Sequence, residues 1–191
     1  FGLLLDLELK QEKGGELRGK TMVVIGHNGS GNPVARRASA FGMRVIIIDA
    51  KTSKKPPFAF SIHSPVKLMD VLPAADVVVV CCPTNASTSG LLGSRQLSLL
   101  KPTAYLIDVG RPGVVEQATV AEALNKRQFA GFGLNVSSPM AVDQQLKGHP
   151  AAIVTVSAAT SPEARERRWR LLRENVRRFV AGEHLLCVVE N

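Results

Sequence analysis

Short runs of aliphatic, largely β-branched residues recur along this chain, and a helix-compatible stretch separates each from the next. That alternation constrains the fold more than any other feature. Met22 to Ile25 is such a run, ended by Gly26; Arg44 to Ile48 is the next, and Pro33 to Phe41 lies between them, so the three read as a βαβ unit. Pro33 suits a first helical turn, where no intrahelical N–H is needed. The pattern repeats with Ser64 to Leu72 as helix before a strand Asp76 to Cys81, and Ser94 to Leu100 as helix before Ala104 to Val109. Val115 to Arg127 then reads as helix before Phe129 to Val136, followed by a short strand, Ala151 to Val156. Lys51 to Pro57 reads as a polar loop. Six strands joined by crossover helices predict an α/β fold with a doubly wound parallel sheet. A ligand crevice is expected at the carboxyl ends of the strands, where their order reverses. Residues 1–191 read as a single domain, with 1–17 as a connecting segment before the first strand.

Composition agrees. With 45% hydrophobic residues and only 5% aromatics, the core must rest on Val, Ile, Leu and Ala, as parallel strands covered by helices require. The net charge of +8 needs a location before it implies a partner. Much of it lies on a helix expected from Pro162 to Ala181, where Trp169, Leu172, Val176, Phe179 and Val180 share one face. Its arginines (Arg165, Arg167, Arg168, Arg170, Arg173, Arg177 and Arg178) are interleaved with Glu163, Glu166 and Glu174, a solvated face rather than a nucleic-acid reader. Cys81, Cys82 and Cys187 make no disulfide framework, which fits a reducing compartment. No run approaches the length of a membrane span, so a cytoplasmic protein off the membrane is expected. The histidines His27, His63, His149 and His184 are scattered and no CxxC or HExxH occurs, so no metal site is expected.

At the first strand-to-helix junction stands Gly26-His27-Asn28-Gly29-Ser30-Gly31. There a phosphate can rest on the helix N-terminus and its free N–H groups. The run follows the dinucleotide fingerprint GxGxxG, with Gly26 and Gly31 in the first and third glycine positions and Asn28 in the second. A side chain at 28 narrows the approach of backbone to a pyrophosphate. Asp49 ends the second strand, 18 residues beyond Gly31, where a carboxylate accepts hydrogen bonds from both ribose hydroxyls. NAD is the cofactor this spacing predicts, and a carboxylate there disfavours the 2′-phosphate of NADP.

The residues resemble the NAD-binding domain of the D-isomer-specific 2-hydroxyacid dehydrogenases. The likeness runs through Glu16 to Gly26, Val34 to Asp49, Ala75 to Leu92, Leu100 to Val115, Phe129 to Val136 and Ser161 to Glu183. It implies that Gly29 and Ser30 place backbone N–H groups on the pyrophosphate, that Asp49 holds the adenosine ribose, and that Pro83 and Thr88 border the cofactor. Val109, Gly110 and Arg111 would line the nicotinamide end. Arg111 matches the family's catalytic arginine, which orients the substrate carboxylate and α-oxygen. Other positions depart. The family's carboxamide-orienting Asp is Asn135 here, its catalytic Glu is Met140, and its acid/base His falls at Val156 or Ser157. Pro112 replaces the glycine that follows the arginine. The resemblance implies that the family's substrate domain is expected to be almost absent from this chain. The resemblance also implies a homodimer through the segment before the first strand, Phe1 to Leu9.

Three functions remain open on the sequence. The chain is an NAD-binding module with little or no dehydrogenase activity, or the cofactor domain of an active oxidoreductase acting on 2-hydroxy or 2-keto acids. The third reading is a nucleotide-regulated interaction protein similar to the C-terminal-binding-protein branch.

Overall fold

The computed structural model describes residues 2–9, 15–27, 29–51, 54–156 and 161–187. The chain divides into two units, residues 1–156 and 157–191.

In the first unit, strands β1 (Thr21–Ile25), β2 (Arg44–Ile48), β4 (Val77–Val80), β5 (Tyr105–Asp108), β6 (Gly131–Val136) and β7 (Ala152–Val156) form where the apolar runs predict them. A further edge strand, β3 (Ser61–His63), makes the sheet seven-stranded in the order β3-β2-β1-β4-β5-β6-β7, where six strands were expected. Every pairing is parallel. The order reverses between β1 and β4, so the crevice opens there.

The central strands are apolar at successive positions because both sheet faces are covered. One face carries Val23, Ile25, Val78, Val80, Leu106 and Leu134. The other carries Met22, Val24, Ile47, Val79 and Ile107, with Ala35 and Ala38 of helix α2 (Gly31–Ala40) packed over them. On this second face also lies a helix the sequence reading did not anticipate, α1 (Gly2–Leu9), with Leu3, Leu4 and Leu7 buried. Its seat is cut by glycines of β6. A Cβ at Gly131 would stand 3.1 Å from Leu7 Cδ2, and one at Gly133 would stand 3.1 Å from Leu3 Cβ.

The crossover helices are shorter than periodicity suggests. The stretch 64–72 is broken into a 3₁₀ turn at Pro65–Lys67, the short helix α3 (Leu68–Val71) and a second 3₁₀ turn at Leu72–Ala74. Pro65 and Pro73 each fit only a first turn, so each restarts the winding. Helix α4 spans only Ser94–Leu97, and α5 spans Gln117–Asn125. Val115, expected inside that last helix, instead forms a parallel bridge with Leu92.

The second unit holds helix α6 (Pro162–Val180), whose Ser161 Oγ accepts the Ala164 N–H at 3.1 Å. Glu166 pairs with Arg170 and Arg173, and Glu174 with Arg177 and Arg178, which supports the solvated reading of this charged face. Among the described residues no helix is long and apolar enough to cross a membrane, and no cluster of His, Cys, Asp or Glu could hold a metal ion.

Candidate functional site

The glycine turn closes over the point where the strand order reverses. Gly26 has φ +91°, and a Cβ there would fall 2.7 Å from Cys82 N and 2.8 Å from Cys82 Cα. Its N–H donates to Ile48 O at 2.8 Å, so the turn is tied to β2 as well. A Cβ at Gly31 would lie 1.8 Å from Gly26 O, which only glycine avoids. Gly29, at φ +61°, has open space instead. Ser30 precedes α2 without a side-chain cap, so the helix's first N–H groups keep their capacity for an anion. These features fit a pyrophosphate cradle. Asn28 lies outside the described residues.

Asp49 clasps this turn. Its Oδ2 accepts the His27 N–H at 2.6 Å and its Oδ1 accepts the Lys51 N–H at 2.9 Å. The Asp49 N–H donates to His63 O of β3 at 3.0 Å, so the unexpected edge strand fixes the carboxylate at the end of β2. A carboxylate has about four lone-pair sites, which leaves acceptor capacity for hydroxyl groups. The His27 ring stacks obliquely near Phe58, with centroids 6.3 Å apart, and its Nδ1 is buried without a partner among the described residues.

On the other side of the crevice the loop after β4 is braced by Asn85, whose Oδ1 accepts the N–H groups of Ser87 and Thr88. Thr88 Oγ1 donates to Pro83 O at 2.7 Å, and Thr84 Oγ1 donates to Pro112 O at 2.7 Å. The bond from Thr84 ties this loop to the segment that follows the turn Val109, Gly110 and Arg111 after β5. A Cβ at Gly110 would stand 2.9 Å from Cys82 O. The Val109 N–H donates to Val80 O at 3.1 Å, and Arg111 is exposed.

Of the remaining expected positions, Asn135, Met140 and Val156 are described, and none of the three is an acid or a base. The Asn135 side-chain amide donates to Thr155 Oγ1 of β7 at 2.8 Å. Met140 occupies a 3₁₀ turn at Pro139–Ala141 and is 92% exposed. Val156 ends β7 with an exposed apolar side chain; Ser157 lies outside the described residues.

Asp108, which sequence reasoning passed over, ends β5 and is 5% exposed. Burial pushes its carboxyl up to about 6, opposed only by the Gly110 N–H that donates to Oδ1 at 3.0 Å. Its signal in the sequence was an acidic residue closing an apolar run directly before Val109-Gly110-Arg111. Burial likewise raises the thiols of Cys81 and Cys82, the latter to about 11, so both are neutral, weakly nucleophilic groups.

Residues 7–159 match the family model of the D-isomer specific 2-hydroxyacid dehydrogenase NAD binding domain. The chain is 32% identical over 178 residues to a D-3-phosphoglycerate dehydrogenase of Bacillus subtilis, a match covering 92% of this chain and 34% of that protein. Among solved structures, a D-isomer specific 2-hydroxyacid dehydrogenase from Xanthobacter autotrophicus in complex with NADPH and MES superposes with TM-score 0.80 at 27% identity, covering 90% of this chain and 71% of that one. A D-lactate dehydrogenase with NAD+ from Lactobacillus jensenii shares the fold, with TM-score 0.83 at 23% identity over 100% of this chain and 66% of that one. The chain spans between about a third and a half of the length of the curated relatives it matches.

Proposed function

The chain belongs to the D-isomer specific 2-hydroxyacid dehydrogenases, through their NAD-binding domain, and on that footing we propose that it binds NAD in the crevice between β1 and β4 with little or no dehydrogenase activity of its own. One observation carries this reading: the glycine turn that closes against Cys82 is clasped by the carboxylate of Asp49. In that reading Gly29, Ser30 and the first N–H groups of α2 hold the pyrophosphate, and Asp49 accepts the ribose hydroxyls with its remaining lone pairs. A 2′-phosphate would meet the Asp49 charge, which favours NAD over NADP. Val109, Gly110 and Asn135 border the nicotinamide end.

Bound NAD would supply a ring that takes or gives a hydride. This chain's own contribution to such chemistry is Arg111, whose planar guanidinium can grip a 2-keto or 2-hydroxy acid carboxylate in bidentate fashion. Proton transfer lacks a carrier at the family positions, since Met140 and either Val156 or Ser157 shuttle no proton in the physiological range. A positioned general acid typically contributes about 10² to 10⁴-fold to rate. The same proposal includes a homodimer and a reducing, cytoplasmic setting. A gel-filtration mass near the 20.5 kDa of one chain at micromolar concentration removes the dimer.

Calorimetric titration with NAD+, NADH and NADP+, on the wild type and on Asp49→Ala, tests the reading. Saturable NAD+ binding that weakens in the variant, with NADP+ weaker still, supports it. No heat up to millimolar cofactor sinks it.

A further inference from the structure

Asp108 is the charged side chain that burial singles out among the described residues. In the sheet it stands beside Val80 of β4 and Leu134 of β6, both apolar and buried. Its one recorded hydrogen bond is the N–H of Gly110, and no cation among the described residues pairs with it. The titratable groups around it offer no compensation. The end of β4 brings Cys81 and Cys82, whose thiols are neutral; its own turn brings Arg111, which is exposed; β6 brings only the amide of Asn135. A buried carboxylate without a positive partner is costly, and a ligand that carries a positive charge into its surroundings relieves that cost.

The two redox forms of a nicotinamide dinucleotide differ in that respect: the oxidised ring is a pyridinium cation and the reduced ring is neutral. Asp108 lies directly before the turn Val109, Gly110 and Arg111, the segment that the dinucleotide reading above puts at the nicotinamide end. Resting on that reading, we propose that Asp108 makes the crevice select the oxidised dinucleotide over the reduced one, and that it gives up a proton to solvent when the oxidised form binds.

Linkage fixes the signs. Below the range in which Asp108 ionises, the carboxyl is neutral and the two forms see the same uncharged wall. Above it, the carboxylate attracts only the oxidised ring, so the ratio of the NADH dissociation constant to that of NAD+ rises with pH. Groups that act on the pyrophosphate weigh on both redox forms alike and cancel in the ratio.

The experiment measures both dissociation constants calorimetrically at about pH 5 and about pH 8, on the wild type and on Asp108→Asn. NAD+ binding is also titrated near pH 6 in two buffers of different ionisation heat. The expected result is a wild-type ratio that rises by about tenfold or more between the two pH values, a flat ratio in Asp108→Asn, and proton release on NAD+ binding by the wild type alone. A flat wild-type ratio, or equal proton release by the two proteins, overturns the proposal while leaving the dinucleotide site standing. If neither form binds, the dinucleotide reading itself has failed and this inference falls with it. The wild-type pH series decides the matter even if the variant folds poorly.

Discussion

Replacing Gly26 with alanine tests the central geometric claim, that the turn after β1 is held against the backbone of Cys82, just past the end of β4, with no room for a side chain. At φ +91° an alanine pays backbone strain of about 1–3 kcal/mol. Its Cβ would also fall 2.7 Å from Cys82 N and 2.8 Å from Cys82 Cα, main-chain atoms that cannot rotate aside. Relieving that overlap by moving β1 and β4 apart costs about 1–3 kcal/mol more. For a chain of this size each kcal/mol lowers Tm by about 2–4 °C, so the expected fall is on the order of 5–20 °C. Gly29→Ala is the control: its φ is +61° but nothing lies within 4 Å, so only the left-handed backbone is penalised, by about 1–2 kcal/mol. Thermal unfolding followed by circular dichroism ranks the variants. If Gly26→Ala melts with the wild type, or no lower than Gly29→Ala, the close-approach argument is wrong.

Three further outcomes are expected. For Asp108 the folded-state value of about 6 lies above the ordinary 3.8, so the folded protein holds its proton more tightly and the burial cost is absent below about pH 4 and complete above about pH 7. Asp108→Asn should therefore gain up to about 3 kcal/mol of stability at about pH 8 and none in acid; equal melting curves at both ends contradict this. In α6 the guanidiniums of Arg177 and Arg178 hold the Glu174 carboxyl down at about 2, so its support is present above its ordinary 4.5 and is lost as pH falls toward 2. The single tryptophan, Trp169, lies on that helix, and its fluorescence should change in that acid window in the wild type but not in Glu174→Gln. Finally, the chain with NADH and glyoxylate should show no keto-acid-dependent NADH oxidation; turnover that disappears in Arg111→Ala would refute the reading of Met140 and Val156.

The sequence exposed those parts of the fold in which side-chain pattern and backbone agree. The buried strands read as uninterrupted apolar runs, and the glycine turn is visible because its constraints forbid other residues. Strand β3 was missed because its three residues, Ser61, Ile62 and His63, are half-buried at the sheet edge and include two polar side chains. Helix α1 was missed because leucine at five of its eight positions gives no clear helical period, and it is buried through glycines of β6 more than a hundred residues away. The stretch 64–72 was read as one helix because its apolar spacing does not show that Pro65 and, just beyond it, Pro73 each start a new 3₁₀ turn. At the site, Asp49 was legible by its distance from Gly31. Its second task, clasping the His27 and Lys51 N–H groups, depends on contacts that no spacing encodes. Asp108 was passed over because burial, not sequence, makes it unusual.

The cradle and the chemistry stand on different footings, and this decides which experiments speak to function. A Cβ at Gly26 or at Gly110 would press on the backbone of Cys82, from β1 on one side and from β5 on the other. Those glycines are thus required to bring three strands together at the crevice, whether or not a dinucleotide ever enters. Loss of binding in Gly26→Ala would follow from damage to the sheet as readily as from damage to a ligand site. Asp49 and Arg111 are different, because no packing demands a charge at either position. The clasp of Asp49 on the turn involves one partly exposed side chain, worth about 1–2 kcal/mol after solvent screening. Asp49→Ala should therefore unfold within several degrees of the wild type. If its affinity for NAD+ drops at temperatures where both proteins are folded, the deficit belongs to the ligand. If the affinity is unchanged, the carboxylate serves only the turn, and the preference for NAD over NADP loses its physical basis.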